Sequence, residues 1–92
     1  MLPEIKKLLN TLGLSPKESE VLNILLQHDS LRVTDLAKKA HLNRTTTYGI
    51  LKTLTGKGLV STIVKHGISE YQSLEPGLLP TYIERQEELL QE

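Results

Sequence analysis

From Thr34 to Gly58 the chain reads TDLAKKAHLNRTTTYGILKTLTGKG, two helix-period stretches with only His41, Leu42 and Asn43 between them. Leu36, Ala37 and Ala40 turn inward from the first stretch, and Thr47, Ile50, Leu51 and Leu54 recur at i, i+3, i+4 and i+7 in the second. Two short helices joined so tightly are a helix-turn-helix. The second stretch is nevertheless a poor helix by local preference. Three consecutive threonines and Gly49 forfeit roughly 2 to 3 kcal/mol relative to alanine, a large sum for a small domain. Something other than helix formation must favour short side chains there.

The rest of the chain can be placed around this unit. Leu2, Ile5, Leu8, Leu9 and Leu12 predict a short amphipathic helix over residues 3–12, stopped at Gly13. Ser15, Pro16 and Glu18 have the order of a capping box, so a second helix starts there and carries Val21, Leu22, Leu25 and Leu26 inward. Leu31 to Val33 reads as an extended connector, with Thr34 as the cap of the next helix. Asn43 caps the helix beginning at Arg44, and Gly56 or Gly58 ends it. The period then changes. Residues 59–65 and 69–74 are β-branched or alternating segments about His66-Gly67, a hairpin of two strands. Pro76 and Gly77 lead into a last helix, with Pro80 in its first turn, running to the C-terminus. The expected fold is mainly α with a small β-hairpin: a winged helix-turn-helix with an extra helix at each end, the hairpin extending beside the helix at 44–56 as the wing.

Composition narrows the function. A chain of 92 residues without Phe or Trp forms one domain, with a modest core of leucine, isoleucine, valine and alanine. It has no cysteine, which removes disulfides, thiol catalysis and thiolate metal sites. The longest apolar run, Ile24 to Leu26, is far too short to span a bilayer, and a cytoplasmic protein is expected. His28, His41 and His66 lack metal-ligand spacing, and HExxH, GxSxG and glycine-rich phosphate loops are absent. No metal, no cofactor and no catalytic activity are expected. The total charge of zero conceals a pattern: residues 31–66 hold seven lysines and arginines against Asp35 alone, a net of +6, while residues 67–92 hold one arginine against six glutamates. A basic middle of this kind suits a polyanionic partner, although an ordinary solvated surface has the same composition.

If the helix at 44–56 enters a major groove of double-stranded DNA, the face opposite its core stripe makes the contacts. Counting about 100° per residue from Thr47, the residues Thr45, Gly49 and Lys52 lie at the opposite pole, with Thr46 and Tyr48 at its margins. Threonine hydroxyls and methyls can both address base edges, and Gly49 removes a side chain from the middle of the face. Arg44 can pair with guanine or clamp a phosphate; its position allows either. Lys38, Lys39 and Lys52 suit phosphates flanking the groove, and Lys65 with His66 suits a neighbouring backbone or minor groove. Each has an ordinary alternative: capping for Thr45 and Thr46, packing for Tyr48, solvation for the lysines.

Here the sequence resembles a known family. The runs LGLSPKESEVLNILL, LRVTDLAKKAHLNRTTTYGILKTLTGKGLV and YQSLEP, covering residues 12–76, are similar to the DNA-binding domain of TrmB-type transcriptional regulators, and more distantly to the MarR type. The most specific elements are Arg44 and Tyr48 of NRTTTY, the LKTLTGKGLV that follows, and Tyr71, Leu74 and Pro76. The resemblance implies a winged-helix transcription factor. Relatives often have proline at the place of Asn43, a glutamate or larger residue at that of Gly49, and a more basic wing, so the resemblance implies a weakened wing contact here. Relatives also append a large sugar-binding domain after the helix that begins near Pro76, so a chain ending at Glu92 is either a short regulator or one domain of a longer one.

The expected organisation is a DNA-binding unit over 1–75 and a dimerisation helix over 76–92. Leu79, Ile83, Gln86 and Leu90 form a 4, 3, 4 seam with Tyr82 and Leu89 on its flank, and pairing with a second copy, assisted by Leu2, Ile5 and Leu9, makes a homodimer. The alternative is that both terminal helices fold back onto the core of one chain. A winged helix used for protein–protein interaction in a larger assembly is the rival function.

Overall fold

The computed structural model describes residues 12–90. The N-terminal helix expected over 3–12, with Leu2, Ile5 and Leu9, lies outside the described residues. The elements are α1 (Pro16–Leu26), α2 (Val33–Ala40), α3 (Arg44–Gly56), β1 (Val60–Lys65), β2 (Ile68–Ser73), a 3₁₀ turn (Pro76–Leu78) and α4 (Leu79–Leu90). This is the expected winged helix-turn-helix, with α2 and α3 as its helix pair and the hairpin as its wing.

Local chemistry starts α1 and α3. The Ser15 hydroxyl accepts from the Glu18 amide at 3.1 Å while the Glu18 carboxylate accepts from the Ser15 amide at 2.8 Å, a complete capping box for α1. The Asn43 side chain accepts from the Thr46 amide at 2.7 Å and starts α3. In α2 the expected cap is wrong. The helix begins at Val33, the N-cap is Arg32 without a side-chain bond, and Thr34 is exposed. The reason is tertiary: Leu31 exchanges two backbone hydrogen bonds with Tyr71, at 2.9 and 2.7 Å, which ends the connector two residues early and leaves Val33 buried as the helix starts.

The ends of α2 and α3 share one geometry. At α3 the Leu59 amide bonds to Leu54 and the Gly58 amide to Thr55, with Gly58 left-handed at φ 75°. At α2 the Leu42 amide bonds to Ala37 and the His41 amide to Lys38, with His41 left-handed at φ 56°. A histidine thus fills the position that glycine fills more comfortably. The hairpin turn uses the same region twice: Lys65 pairs with Ile68, and His66 and Gly67, at φ 52° and 78°, form the two-residue connection of a primed turn whose twist matches the strands.

The core lies where α1, α2 and α3 meet the base of the wing. Val21, Leu22, Leu25, Leu36, Ala40, Leu54 and Leu59 are completely buried, and Leu51 nearly so. Leu79 and Ile83 of α4 close it from the C-terminal side. Among the described residues no helix is long and apolar enough to cross a membrane.

Candidate nucleic-acid interface

The three threonines of α3 are not equivalent. Thr47 is completely buried and its hydroxyl donates to the Asn43 carbonyl at 2.8 Å, so it is a satisfied polar group within the core stripe. With Leu51 and Leu54 it anchors the helix, and packing offsets the weak local propensity. Thr45, Thr46, Gly49 and Lys52 are exposed on the other side, as the helical count requires. A Cβ placed on Gly49 would meet nothing within 4 Å, so packing inside the chain does not call for a glycine there. The Thr53 hydroxyl donates back to the Gly49 carbonyl one turn earlier, at 3.2 Å.

Arg44 and Tyr48 form a unit one turn apart. The Arg44 guanidinium donates to the Tyr48 hydroxyl at 3.5 Å and lies 5.9 Å from the ring centre. Tyr48 remains 43% exposed, so this pair sits on the surface of α3 rather than between helices. Lys38 and Lys39 occupy the last turn of α2, exposed, beside a cleft of about 420 Å³ that they line with His28, Leu31 and Asp35. Among the described residues the one ion pair is Lys17–Glu20, so no carboxylate lies within 4.0 Å of the charged groups of Arg44, Lys38, Lys39 or Lys52.

The wing differs from expectation in its charge. His66 is exposed at the tip, but the Lys65 ammonium donates to the Ser30 hydroxyl at 3.1 Å, and that hydroxyl donates to the Glu70 carboxylate at 2.6 Å. Lys65 is therefore drawn back to the segment joining α1 and α2. Thr55, Thr62 and Tyr71, none of which the sequence assigned to a DNA contact, instead line a cleft of about 380 Å³ beside α3 with Tyr48, Leu51 and Lys52. Helical spacing sets Thr55 beside Tyr48, Leu51 and Lys52, and the hairpin packed on α3 adds the cross-strand pair of Thr62 and Tyr71.

The terminal seam also comes out differently. Leu79 and Ile83 are buried in the core of the single chain, 2% and 4% exposed, instead of facing a partner. The Tyr82 hydroxyl donates to the Lys57 carbonyl at the end of α3, and burial raises its pKa. Gln86 is half-buried beside Leu12, Gly56 and Lys57. The described side chains of α4 end at Leu89, so Leu90 falls outside them. The outward apolar residues are Leu78 and Leu89, 54% and 59% exposed. A 4, 3, 4 spacing identifies an apolar stripe but not what covers it, and a core without large aromatics needed these two side chains as its lid.

The model of the family described as "Sugar-specific transcriptional regulator TrmB" matches residues 8–76. The chain belongs to the TrmB family. No curated protein matches this TrmB-family chain. Among solved structures it is similar to TrmBL2, an archaeal chromatin protein, with a TM-score of 0.76 at 20% identity over 95% of this chain and 34% of that one. A MarR-family protein from Bacillus stearothermophilus gives 0.68 at 24% identity, over 95% of this chain and 64% of that one. The homodimeric winged helix-turn-helix DNA-binding domain of a possible ArsR-family regulator from Mycobacterium bovis gives 0.65 at 18% identity, over 94% and 84%. At these identities the likeness is one of fold. This TrmB-family chain has the winged-helix DNA-binding fold of transcriptional regulators, and its family and neighbours are regulators rather than enzymes. It spans about a third of TrmBL2 and under two-thirds of the MarR-family protein.

Proposed function

We propose that the chain is a sequence-specific double-stranded DNA-binding transcriptional regulator, acting in the cytoplasm as a homodimer, with α3 in the major groove. The observation that carries this reading is the outer face of α3: Arg44, Thr45, Thr46, Tyr48, Gly49 and Lys52 are all exposed within a segment of net charge +6. Arg44 and Thr45 read base edges, Gly49 lets the helix approach closely, and Lys38, Lys39 and Lys52 neutralise phosphates. His66 and the wing lie along the flanking backbone, with Lys65 the weaker contributor because Ser30 already engages it.

Residues 1–75 form the DNA-binding unit in this reading, and the helix within 76–92 supplies the dimer contact. Two copies meet through the outward Leu78, in the turn before α4, and Leu89 of α4, with Leu2, Ile5, Leu9 and Leu90 joining them. Leu79 and Ile83 hold α4 on its own core, and Tyr82 and Gln86 border the contact. A two-fold pair places its α3 helices in successive major grooves about 10 base pairs apart, and so reads an imperfect palindrome.

Selection of bound sequences from random DNA tests specificity and half-site spacing together. A palindromic motif with steeply salt-dependent affinity is the expected result. Recovery of no motif, with binding indifferent to salt, would instead favour a protein-interaction module. For the dimer, Leu89→Glu is expected to shift light scattering to the monomer mass and to remove the concentration dependence of the melting temperature; an unchanged mass sinks the α4 contact.

A further inference from the structure

The cleft between α3 and the hairpin has the donors for one anion. Its walls are Tyr48, Lys52 and Thr55 from the helix and Thr62 from β1, with Leu51 and Tyr71 completing a volume of about 380 Å³. No carboxylate lines it. Thr47 and Thr53 turn their hydroxyls back onto helix carbonyls, whereas those of Thr55 and Thr62 have no hydrogen-bond partner among the described residues. Lys52 likewise has no carboxylate within 4.0 Å among them. Thr62 stands opposite Tyr71 in the ladder, which puts both side chains on the sheet face toward α3. Lys65, one step beyond Val64, belongs to the opposite face and is held by Ser30.

We propose that this cleft seats one backbone phosphate of the bound duplex, between the Lys52 ammonium and the Thr55 and Thr62 hydroxyls. The proposal rests on the DNA-binding reading above and adds Thr55 and Thr62 to the residues that make it. A phosphodiester group exposes two unbridged oxygens with one negative charge. One oxygen takes the ammonium and the other the two hydroxyls. The wing then grips the backbone through its base, with charge lent by α3, and does not need a basic tip. Because the donors come from both the helix and the hairpin, the phosphate locks their common register on the duplex and fixes which base step faces Arg44 and Thr45.

The test uses the full chain and a duplex recovered by selection, with affinity followed by fluorescence anisotropy across a salt series. Lys52→Ala is expected to reduce the slope of log affinity against log salt by about 1. Thr62→Val and Thr55→Val, which keep the β-branched shape, are each expected to weaken binding about 3- to 10-fold with the slope unchanged. Single methylphosphonate substitutions along the duplex should reveal one position that weakens the wild type but not the Lys52→Ala, Thr62→Val double variant. If the wild type and Arg44→Ala differ as expected while both threonine variants bind like wild type and no phosphate position couples to Lys52, the phosphate seat is overturned and the DNA reading stands. If the wild type shows no salt-dependent binding to any duplex, both are overturned.

Discussion

Helices α3 and α4 are nearly the same length, 13 and 12 residues, and each buries a stripe in one core. Their outer faces differ. That of α3 carries Thr45, Thr46, Gly49, Lys52 and the Arg44–Tyr48 pair, small or cationic groups that leave room for a large partner. That of α4 carries Leu78 from its leading turn, Leu89 and the acidic Glu84, Glu87 and Glu88. In the proposed function a polyanion meets the first face, and the three glutamates of the second would repel it. Packing holds both helices, so each outer face is open to partner choice, and the weak propensity of α3 shows how far that freedom extends.

The sharpest way to break this comparison is to empty the inner stripe of α4. Ile83→Ala is expected to lower unfolding stability by about 2 to 4 kcal/mol in denaturant melts at any protein concentration. A loss that vanishes on dilution would return Ile83 to a partner-facing seam. On the outer face of α3, Arg44→Ala should weaken DNA binding by about 1 to 3 kcal/mol, roughly 5- to 150-fold, with the melting curve unchanged. A fall in stability of the same size would make the Arg44–Tyr48 pair a structural contact instead. Between these helices, His41→Gly relieves a left-handed histidine and should raise stability by about 1 kcal/mol without altering DNA affinity.

Gly49→Ala separates stability from function within one residue. Nothing in the chain obstructs the added methyl, so stability should rise by about 0.5 to 1 kcal/mol while DNA binding weakens. A variant that is both more stable and equally tight in binding would remove Gly49 from the reading face. The smallest effect concerns Tyr82. Burial raises its pKa above the ordinary 10.0, so its neutral form favours the folded state below pH 10 and that contribution is lost as pH rises past it. Tyr82→Phe should flatten the alkaline fall in the melting temperature slightly; an unchanged fall would assign it to other groups.

Much of this molecule was legible in the sequence, and the limits are instructive. Ser15, Glu18 and Asn43 announced their helices because capping is decided within four residues. The stripe of Thr47, Leu51 and Leu54 needed only the 3.6-residue period, and the outer face of α3 followed by subtraction. The cap of α2 was missed because a strand pair forty residues away, Leu31 with Tyr71, set where the helix could begin. Lys65 was read as free because its partner Ser30 lies thirty-five positions upstream.

The sequence by itself determined which residues cap, which faces are apolar and where the charge lies, because these depend on short-range sterics, periodicity and composition. Only the tertiary structure decided that the apolar stripe of α4 covers its own core, that Lys65 turns away from the wing tip, and that Thr55 and Thr62 share a cleft with Lys52. Each of those outcomes depends on which distant surface meets a given face, and a local pattern is compatible with several such surfaces until the chain has closed on itself.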